Sequence, residues 1–219
     1  MKFSNTELFV FIAVGIVGLL VLAAVLGAVA DRRYRKRLSE WAAAQGWAYQ
    51  VGGGGPWTQQ LEQGIERRVV LQLEGARRGR HLLVAHWWCK IRESPSEWGT
   101  ESEVDVLMVV VLPLPVRYPD VRVKRRGAAA RLARSAGRKP AAPGHEAFDR
   151  GFQVRCNDPA AGRRLLTQKL MNAHLAGVMP PLWRVNGRFL VGIWHGKVKP
   201  STILPRVDQL LDLAKLLGT

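Results

Sequence analysis

Hydrophobic residues are unevenly spread along this chain of 219 residues, and the longest apolar run lies near the N-terminus. Residues 8–30 contain no charged side chain and are rich in Val, Leu, Ile, Ala and Gly. An α-helix rises about 1.5 Å per residue, so about 20 apolar residues cross a hydrocarbon layer of about 30 Å. The run therefore predicts a transmembrane helix at residues 8–30, preceded by a short segment at residues 1–7.

The charges on either side of this run predict its orientation. Five basic residues follow it within two helical turns: Arg32, Arg33, Arg35, Lys36 and Arg37. Before the run, Lys2 is balanced by Glu7. Basic residues beside a membrane helix stay preferentially in the cytoplasm. We therefore expect a single-pass protein of the cell membrane, with residues 1–7 outside and the domain in the cytoplasm.

A cleaved signal peptide is the alternative interpretation of the same run. Ala28, Val29 and Ala30 form a small-x-small pattern that resembles a cleavage site. The apolar core of a signal peptide is about 7–15 residues long, however, which is shorter than this run. The length and the charge asymmetry together favour an uncleaved anchor.

Beyond the anchor, the spacing of apolar residues changes from helical to alternating. Residues 31–46 predict a juxtamembrane basic helix with Leu38, Trp41 and Ala42 on one face. Residues 47–219 predict one cytoplasmic domain, which is long enough for a core of its own. Its predicted strands are separated by turn residues and lie at 47–51, 68–76, 80–91, 104–115, 121–124 and 148–156. Between the second and third of them, Arg78-Gly79 predicts a hairpin turn. Residues 104–115 are apolar enough for a central strand, and 121–124 predict a short strand near an edge.

The end of the chain combines helical and hairpin signals. Asp158 and Pro159 predict a helix start that leads to Gly177. Asn186-Gly187 predicts a two-residue hairpin between strands at 182–185 and 188–194. An amphipathic terminal helix is predicted by Ile203, Val207, Leu210, Leu211, Ala214 and Leu217. The predicted class is α+β, an antiparallel sheet with two late helices packed on it; a closed or half-closed barrel is the alternative.

The net charge of +16 is concentrated in two stretches. Residues 31–37 hold five basic residues and one acid, a net +4, and residues 117–139 hold nine basic residues and one acid, a net +8. Within the second stretch, residues 127–144 predict a mobile basic loop. The candidate membrane-surface residues are Arg32, Arg33, Arg35, Lys36, Arg37, Lys124, Arg125 and Arg126. Anionic lipid is the expected partner, since the anchor holds the domain near the leaflet; electrostatic binding of nucleic acid and a merely solvated loop are the alternatives.

Catalytic signatures are missing from the sequence. The glycines at 52–55 lack the Lys-Ser/Thr of a phosphate-binding loop, and no histidine stands at zinc-ligand spacing from another ligand. Cys89 and Cys156 are expected to be free thiols. We therefore predict no catalytic residue, cofactor or metal, and a binding or scaffold module with an unknown protein partner; a membrane-tethered enzyme with a dispersed active site is the alternative. Trp57 and Trp98 lie in predicted loops and are the candidate exposed contact residues.

Several short motifs give the chain a family likeness. In order, they are Leu38-x-x-Trp41-Ala42, Gly46-Trp47-x-Tyr49, Phe148-x-x-x-Phe152-x-Val154, Asp158-Pro159, Leu165-Leu166-Thr167, Trp183-Arg184-Val185 and Trp194-x-Gly196. With these motifs the chain resembles a group of actinobacterial single-pass membrane proteins of uncharacterised function. The resemblance implies an N-terminal anchor and one compact domain, and it implies no catalytic or ligand residue.

Overall fold

The fold was obtained as a computed structural model that describes residues 5–61, 66–96, 99–126 and 145–219. The predicted basic loop at 127–144 and the candidate contact residue Trp98 lie outside the described residues.

The first helix, α1, extends over Asn5–Ala44. Gly46 ends it in the left-handed region at φ 69°, as is common after a helix C-terminus. Its apolar part is long and apolar enough to cross a membrane, and its described side chains there are exposed. Near its end, Leu38 and Ala42 are fully buried in the domain core. The helix therefore serves both as the candidate anchor and as a structural part of the domain.

A six-stranded antiparallel sheet forms the centre of the domain. Its strands are β1 (Ala48–Val51), β2 (Glu66–Arg77), β3 (Arg80–Ser96), β4 (Gly99–Arg125), β5 (Phe152–Cys156) and β6 (Leu182–His195). The strands β1, β2, β3 and β4 pair in sequence order, and β4 also pairs with β5 and β6. The α+β class is confirmed, and the described strands form an open sheet rather than a barrel.

Strand β4 is the longest strand and the centre of the sheet. Its first part pairs with β3 up to Val111, and residues from Leu107 onward pair with β6. Residues 121–124 were expected near an edge, but they lie between β5 and β6 and pair with both. The expectation was wrong because one strand of 27 residues replaces two predicted strands, so its second half has neighbours on both sides.

The predicted hairpin at Asn186-Gly187 is also corrected. Gly187 has the left-handed φ of 57° that a turn would use, yet β6 runs through it without reversing. Gly187 pairs with Tyr118, and the register shifts on both sides of this pair. The glycine therefore relieves an irregularity in a long pairing with β4. The Asn-Gly motif could not reveal this, because it carries no information about β4, which is long enough to pair with both halves of β6.

Helices between residues 146 and 216 cover one face of the sheet. They are α2 (Glu146–Gly151), α3 (Pro159–Leu165), α4 (Gln168–Leu175) and α5 (Pro200–Leu216). Asp158 caps α3 as predicted, accepting from the backbone N–H groups of Ala160 and Ala161. A single helix was expected from Asp158 to Gly177. The structure has two helices there, α3 and α4, because Thr167 caps the start of a second helix. The strand expected from residue 148 begins only at Phe152, after α2.

Two apolar clusters lie on opposite faces of the sheet. The larger one joins the end of α1 and the late helices to the sheet, and Trp183 is its largest fully buried side chain. The smaller one is covered by a 3₁₀ helix at Pro56–Gln60, which places Trp57 against Trp87. All six predicted apolar positions pack into the larger cluster, five from the terminal helix α5 and Leu217 from the residue just after it, which confirms the amphipathic pattern.

Candidate functional site

A groove of about 540 Å³ lies between α1 and the junction of β6 with α5. We call it the juxtamembrane groove. Its lining comes from one face of α1 and from the junction: Leu26, Val29, Ala30, Arg33, Tyr34, Arg37, Lys197, Val198, Lys199 and Pro200. Its volume lies in the range of about 300–1,000 Å³ that is typical of ligand pockets.

The α1 side of the groove forms a single helical stripe. Its residues are spaced by three or four positions from Leu26 to Arg37, which places them on one face. The same stripe continues at Leu38 and Ala42, which are buried against the domain. The groove is therefore the continuation, toward the apolar segment, of the interface that joins α1 to the domain.

On the junction side of the groove, one buried residue, Val198, packs the loop between β6 and α5 against the domain. Gly196 turns the chain at φ 98° after β6, and its N–H donates to the Val106 carbonyl over 2.7 Å. Val198 is fully buried, whereas its neighbours Lys197 and Lys199 are exposed. Burial of the central residue therefore fixes both lysines at the rim of the groove.

Tyr34 forms the link between the two sides. Its hydroxyl lies 3.1 Å from Nδ1 of His86 on β3, and the Val198 backbone also hydrogen-bonds to it. Burial lowers the pKa of His86 to about 4, with the Lys197 charge as a smaller cause. Burial also raises the pKa of Tyr34 above its ordinary value. Both groups are neutral at pH 7, so a neutral hydrogen bond joins the Tyr34 hydroxyl to the His86 imidazole.

The charges at the groove have one sign. Arg33, Arg37, Lys197 and Lys199 are exposed, and none of them forms an ion pair within the described residues. The Lys197 ammonium lies 5.8 Å from the centre of the Tyr34 ring, a cation–π contact. Apolar walls beside four cations form a surface suited to an anionic amphiphile.

The other predicted residues of the first cluster lie outside the groove. Arg32 and Lys36 are exposed, and Lys36 is 3.8 Å from the exposed Glu40. Arg35 pairs with Asp31, with 2.8 Å between its Nε and the carboxylate oxygen. Of the five basic residues, Arg33 and Arg37 therefore line the groove, and the other three lie outside it. Their role at a membrane surface stays a prediction.

The second predicted cluster lies at the end of β4, and the structure does not place it in the groove. Lys124 borders a small polar cleft together with Arg122, which is also on β4, and Arg155, which is on the neighbouring β5. The guanidinium of Arg126 donates to the carbonyls of Asp149 and Phe152, which ties β4 to α2 and β5.

Sequence reasoning missed the two lysines that do join α1. Lys197 and Lys199 flank one apolar residue between Gly196 and Pro200, which is a weak loop signal. No spacing in the sequence tells which loop meets α1, because the two segments are about 160 positions apart.

A second cavity of about 400 Å³ lies beside α4 and the end of β4. His174 lines it and is 3% exposed, and its Nε2 accepts from the Trp183 indole over 2.8 Å. Burial lowers its pKa to about 4, so the proton of the neutral ring is on Nδ1. Arg125 and Gln209 also line the cavity, and its described lining holds no carboxylate, serine or cysteine.

The remaining candidate residues are structural or lie outside the description. Trp57 was a candidate exposed contact, but it is 3% exposed because the 3₁₀ helix folds over the sheet. Cys89 and Cys156 are free thiols, as expected. Within the described ranges, no group of three His, Cys, Asp or Glu residues is arranged to hold a metal ion.

Comparisons with known proteins give one structural likeness. No family model and no curated protein matches this chain. Its fold is similar to the crystal structure of the mycobacterial trehalose monomycolate transport factor A, TtfA, with a TM-score of 0.55. The two are 14% identical, and the match covers 85% of this chain and 95% of that chain. At this identity the likeness shows a shared fold, and its mycobacterial source agrees with the actinobacterial resemblance of the sequence.

Proposed function

We propose that this protein is a single-pass membrane protein whose domain acts on the cytoplasmic side as a non-enzymatic binding or scaffold module at the anionic leaflet. The observation that carries the proposal is the charge around the point where α1 leaves its apolar segment. The helix supplies five basic residues there, and the fold adds Lys197 and Lys199 to them. Basic residues at this position favour the cytoplasmic side, and each contributes about 1 kcal/mol near an anionic surface.

The joint between α1 and the domain supports a fixed placement at the leaflet. Leu38 and Ala42 are fully buried, and Trp41 packs edge-on against Trp47 at 5.5 Å between ring centres. The domain is therefore attached to the anchor through its own core, which favours a scaffold held at one height above the membrane.

The structural neighbour supports a role connected with transport. That protein is named as a trehalose monomycolate transport factor. A membrane-attached domain with a basic surface beside its anchor fits an accessory role of the same kind. We therefore propose that this chain assists a membrane process through binding, with a protein partner still to be identified.

Single-cysteine labelling in intact cells tests the orientation. In a C156S background, K2C should react with an impermeant thiol reagent in intact cells, because residue 2 is expected outside. K215C, at an exposed position of α5, should react only after permeabilisation. Labelling of K215C in intact cells contradicts the proposal.

Charge reversal tests the cause of the orientation. R32E/K36E changes two exposed residues outside the groove and should increase the fraction of chains with the domain outside, because the cytoplasmic preference of the cluster is lost. R163E/R164E makes the same charge change at exposed positions of α3 and should leave the orientation unchanged. Equal fractions in the two variants contradict the explanation by charge.

A further inference from the structure

We propose that the juxtamembrane groove binds one anionic phospholipid of the leaflet around α1, with an acyl chain along its apolar wall and the phosphate among its four cations. This inference rests on the proposed function for the identity of the leaflet, and it names the ligand of the site. The proposed function needs only a basic surface, whereas this inference needs a defined groove occupied by one molecule.

The depth of the groove is the first reason to choose a lipid. With residues 8–30 across the hydrocarbon layer, Leu26 and Val29 lie within its last turns, at the level of acyl chains. Arg33 and Arg37 lie about 5 and about 10 Å beyond Ala30, since a helix rises about 1.5 Å per residue. The headgroup layer of one leaflet is about 5–8 Å thick. The groove therefore crosses the boundary at which a phospholipid changes from chain to phosphate.

The distribution of polarity along the groove is the second reason. Its deep part is formed by Leu26, Val29 and Ala30, and its outer part by Arg33, Arg37 and the two junction lysines. The apolar part is open to a ligand, since Leu26 is 60% and Val29 39% exposed. An acyl chain covers this apolar part, while the phosphate accepts hydrogen bonds from the basic residues of the outer part.

The rigidity of the walls is the third reason. The Tyr34 hydroxyl is fixed between His86 and the Val198 backbone, so the aromatic ring stands as a wall between the two basic sides. Buried Val198 fixes the backbone from which its two flanking lysines extend. A site whose cations come from two elements joined by partly buried hydrogen bonds loses less conformational freedom on binding than a flexible polybasic segment does.

Native mass spectrometry of the full chain tests the proposal. The protein is released from nanodiscs that contain equal amounts of phosphatidylglycerol and phosphatidylcholine, and the bound lipids are counted. We expect one phosphatidylglycerol to remain bound in preference to phosphatidylcholine. K197Q/K199Q should lower this retention by about tenfold or more, since two cations that face the phosphate are lost. K169Q/K215Q removes two exposed lysines outside the groove and should retain the lipid.

A second pair of variants tests the apolar wall with every charge kept. A30F fills the deep part of the groove and should lower retention, whereas A28F adds the same side chain to another face of the same helical turn. Equal retention of the two lipids overturns the proposal, and so does equal retention in K197Q/K199Q and K169Q/K215Q. Equal retention in A30F and A28F excludes the acyl-chain position.

The outcome separates this inference from the proposed function. Labelling of K215C in K197Q/K199Q reports orientation independently of lipid retention. A correctly oriented protein without selective lipid retention refutes only the groove, whereas a domain on the outer side refutes the proposed function whatever lipid is retained. Retention of a second copy of the chain or of a peptide in place of lipid also overturns the inference.

Discussion

Two histidines, His86 and His174, are buried in the domain and make its stability depend on pH. His86 hydrogen-bonds to Tyr34 behind the groove, and His174 accepts from Trp183 in the main core. Burial lowers the pKa of each to about 4, below the ordinary value of 6.5. Each ring is therefore neutral in the folded protein at pH values at which the unfolded chain is already protonated.

This difference predicts acid destabilisation. The stabilising contribution is complete above pH 6.5 and is lost as the pH falls toward 4, because the unfolded state then binds protons that the folded state does not. A shift of this size sets an upper bound of about 3 kcal/mol for each histidine, because solvent near the rings reduces the effect. Urea unfolding of the full chain in detergent, followed by tryptophan fluorescence, should show the decline already between pH 6.5 and 5, above the range in which most carboxylates titrate.

Substituting each histidine tests whether it causes this loss of stability at low pH. H86Q and H174Q should each flatten the pH dependence in that window. H81Q is the matched control, since His81 is exposed, and it should leave the slope as it is in the unaltered protein. A free energy of unfolding that does not change between pH 6.5 and 5 would refute the assignment.

At the scale of elements, close contacts between strands and helices decide the packing. The β2–β3 hairpin turns at Arg78 and Gly79, as the sequence predicts, and Arg77 and Arg78 pair with Asp208 on α5. These ion pairs are partly exposed and contribute little to the free energy of unfolding, but they fix where the terminal helix crosses the hairpin.

At Gly75 of β2 the strand backbone lies close to an aromatic ring. A Cβ atom there would clash with Cγ of Trp47, whose ring is buried against the strand. G75A should destabilise the fold by about 1–3 kcal/mol or more, because the rigid indole has to move. The measurement is the urea midpoint of unfolding. G151A is the control, since a Cβ there meets nothing within 4 Å; equal midpoints in the two variants would contradict the packing argument.

At the scale of the whole molecule, anchor and domain share one helix. Leu38 is fully buried in the larger cluster although it lies only eight positions after the last apolar residue of the predicted span. L38A should destabilise the domain by about 2–5 kcal/mol through the cavity that it leaves. L175A removes the same side-chain atoms at an exposed position of α4 and should have an effect within about 0.5 kcal/mol.

Truncation tests the same joint directly. A chain that begins at residue 31 keeps the buried end of α1 and should remain folded, as judged by a cooperative unfolding transition. A chain that begins at residue 47 lacks Leu38 and Ala42 and should aggregate or unfold without a transition. Cooperative unfolding of the shorter chain would show that the helix is only a tether.

The local features of the fold were predictable because each depends on neighbours in the sequence. The apolar run, the Asp158 cap, the turn at Arg78 and the buried stripe of α5 all follow from spacing and residue type. The hairpin at Asn186-Gly187 failed for the opposite reason, since β4 offers a partner to both halves of β6. Trp57 failed similarly, because its exposure depends on which sheet face the 3₁₀ helix covers.

By itself, the sequence determined that the chain has a membrane-length helix, a basic cluster after it and an α+β domain, because length, charge and periodicity are properties of continuous segments. The tertiary structure alone decided which basic residues meet. It separates Lys124 and Arg126 from α1 and brings Lys197 and Lys199 to Arg33 and Arg37. The physical reason is that burial of Val198 and the Tyr34–His86 hydrogen bond join segments distant in sequence, and such contacts leave no period in the sequence.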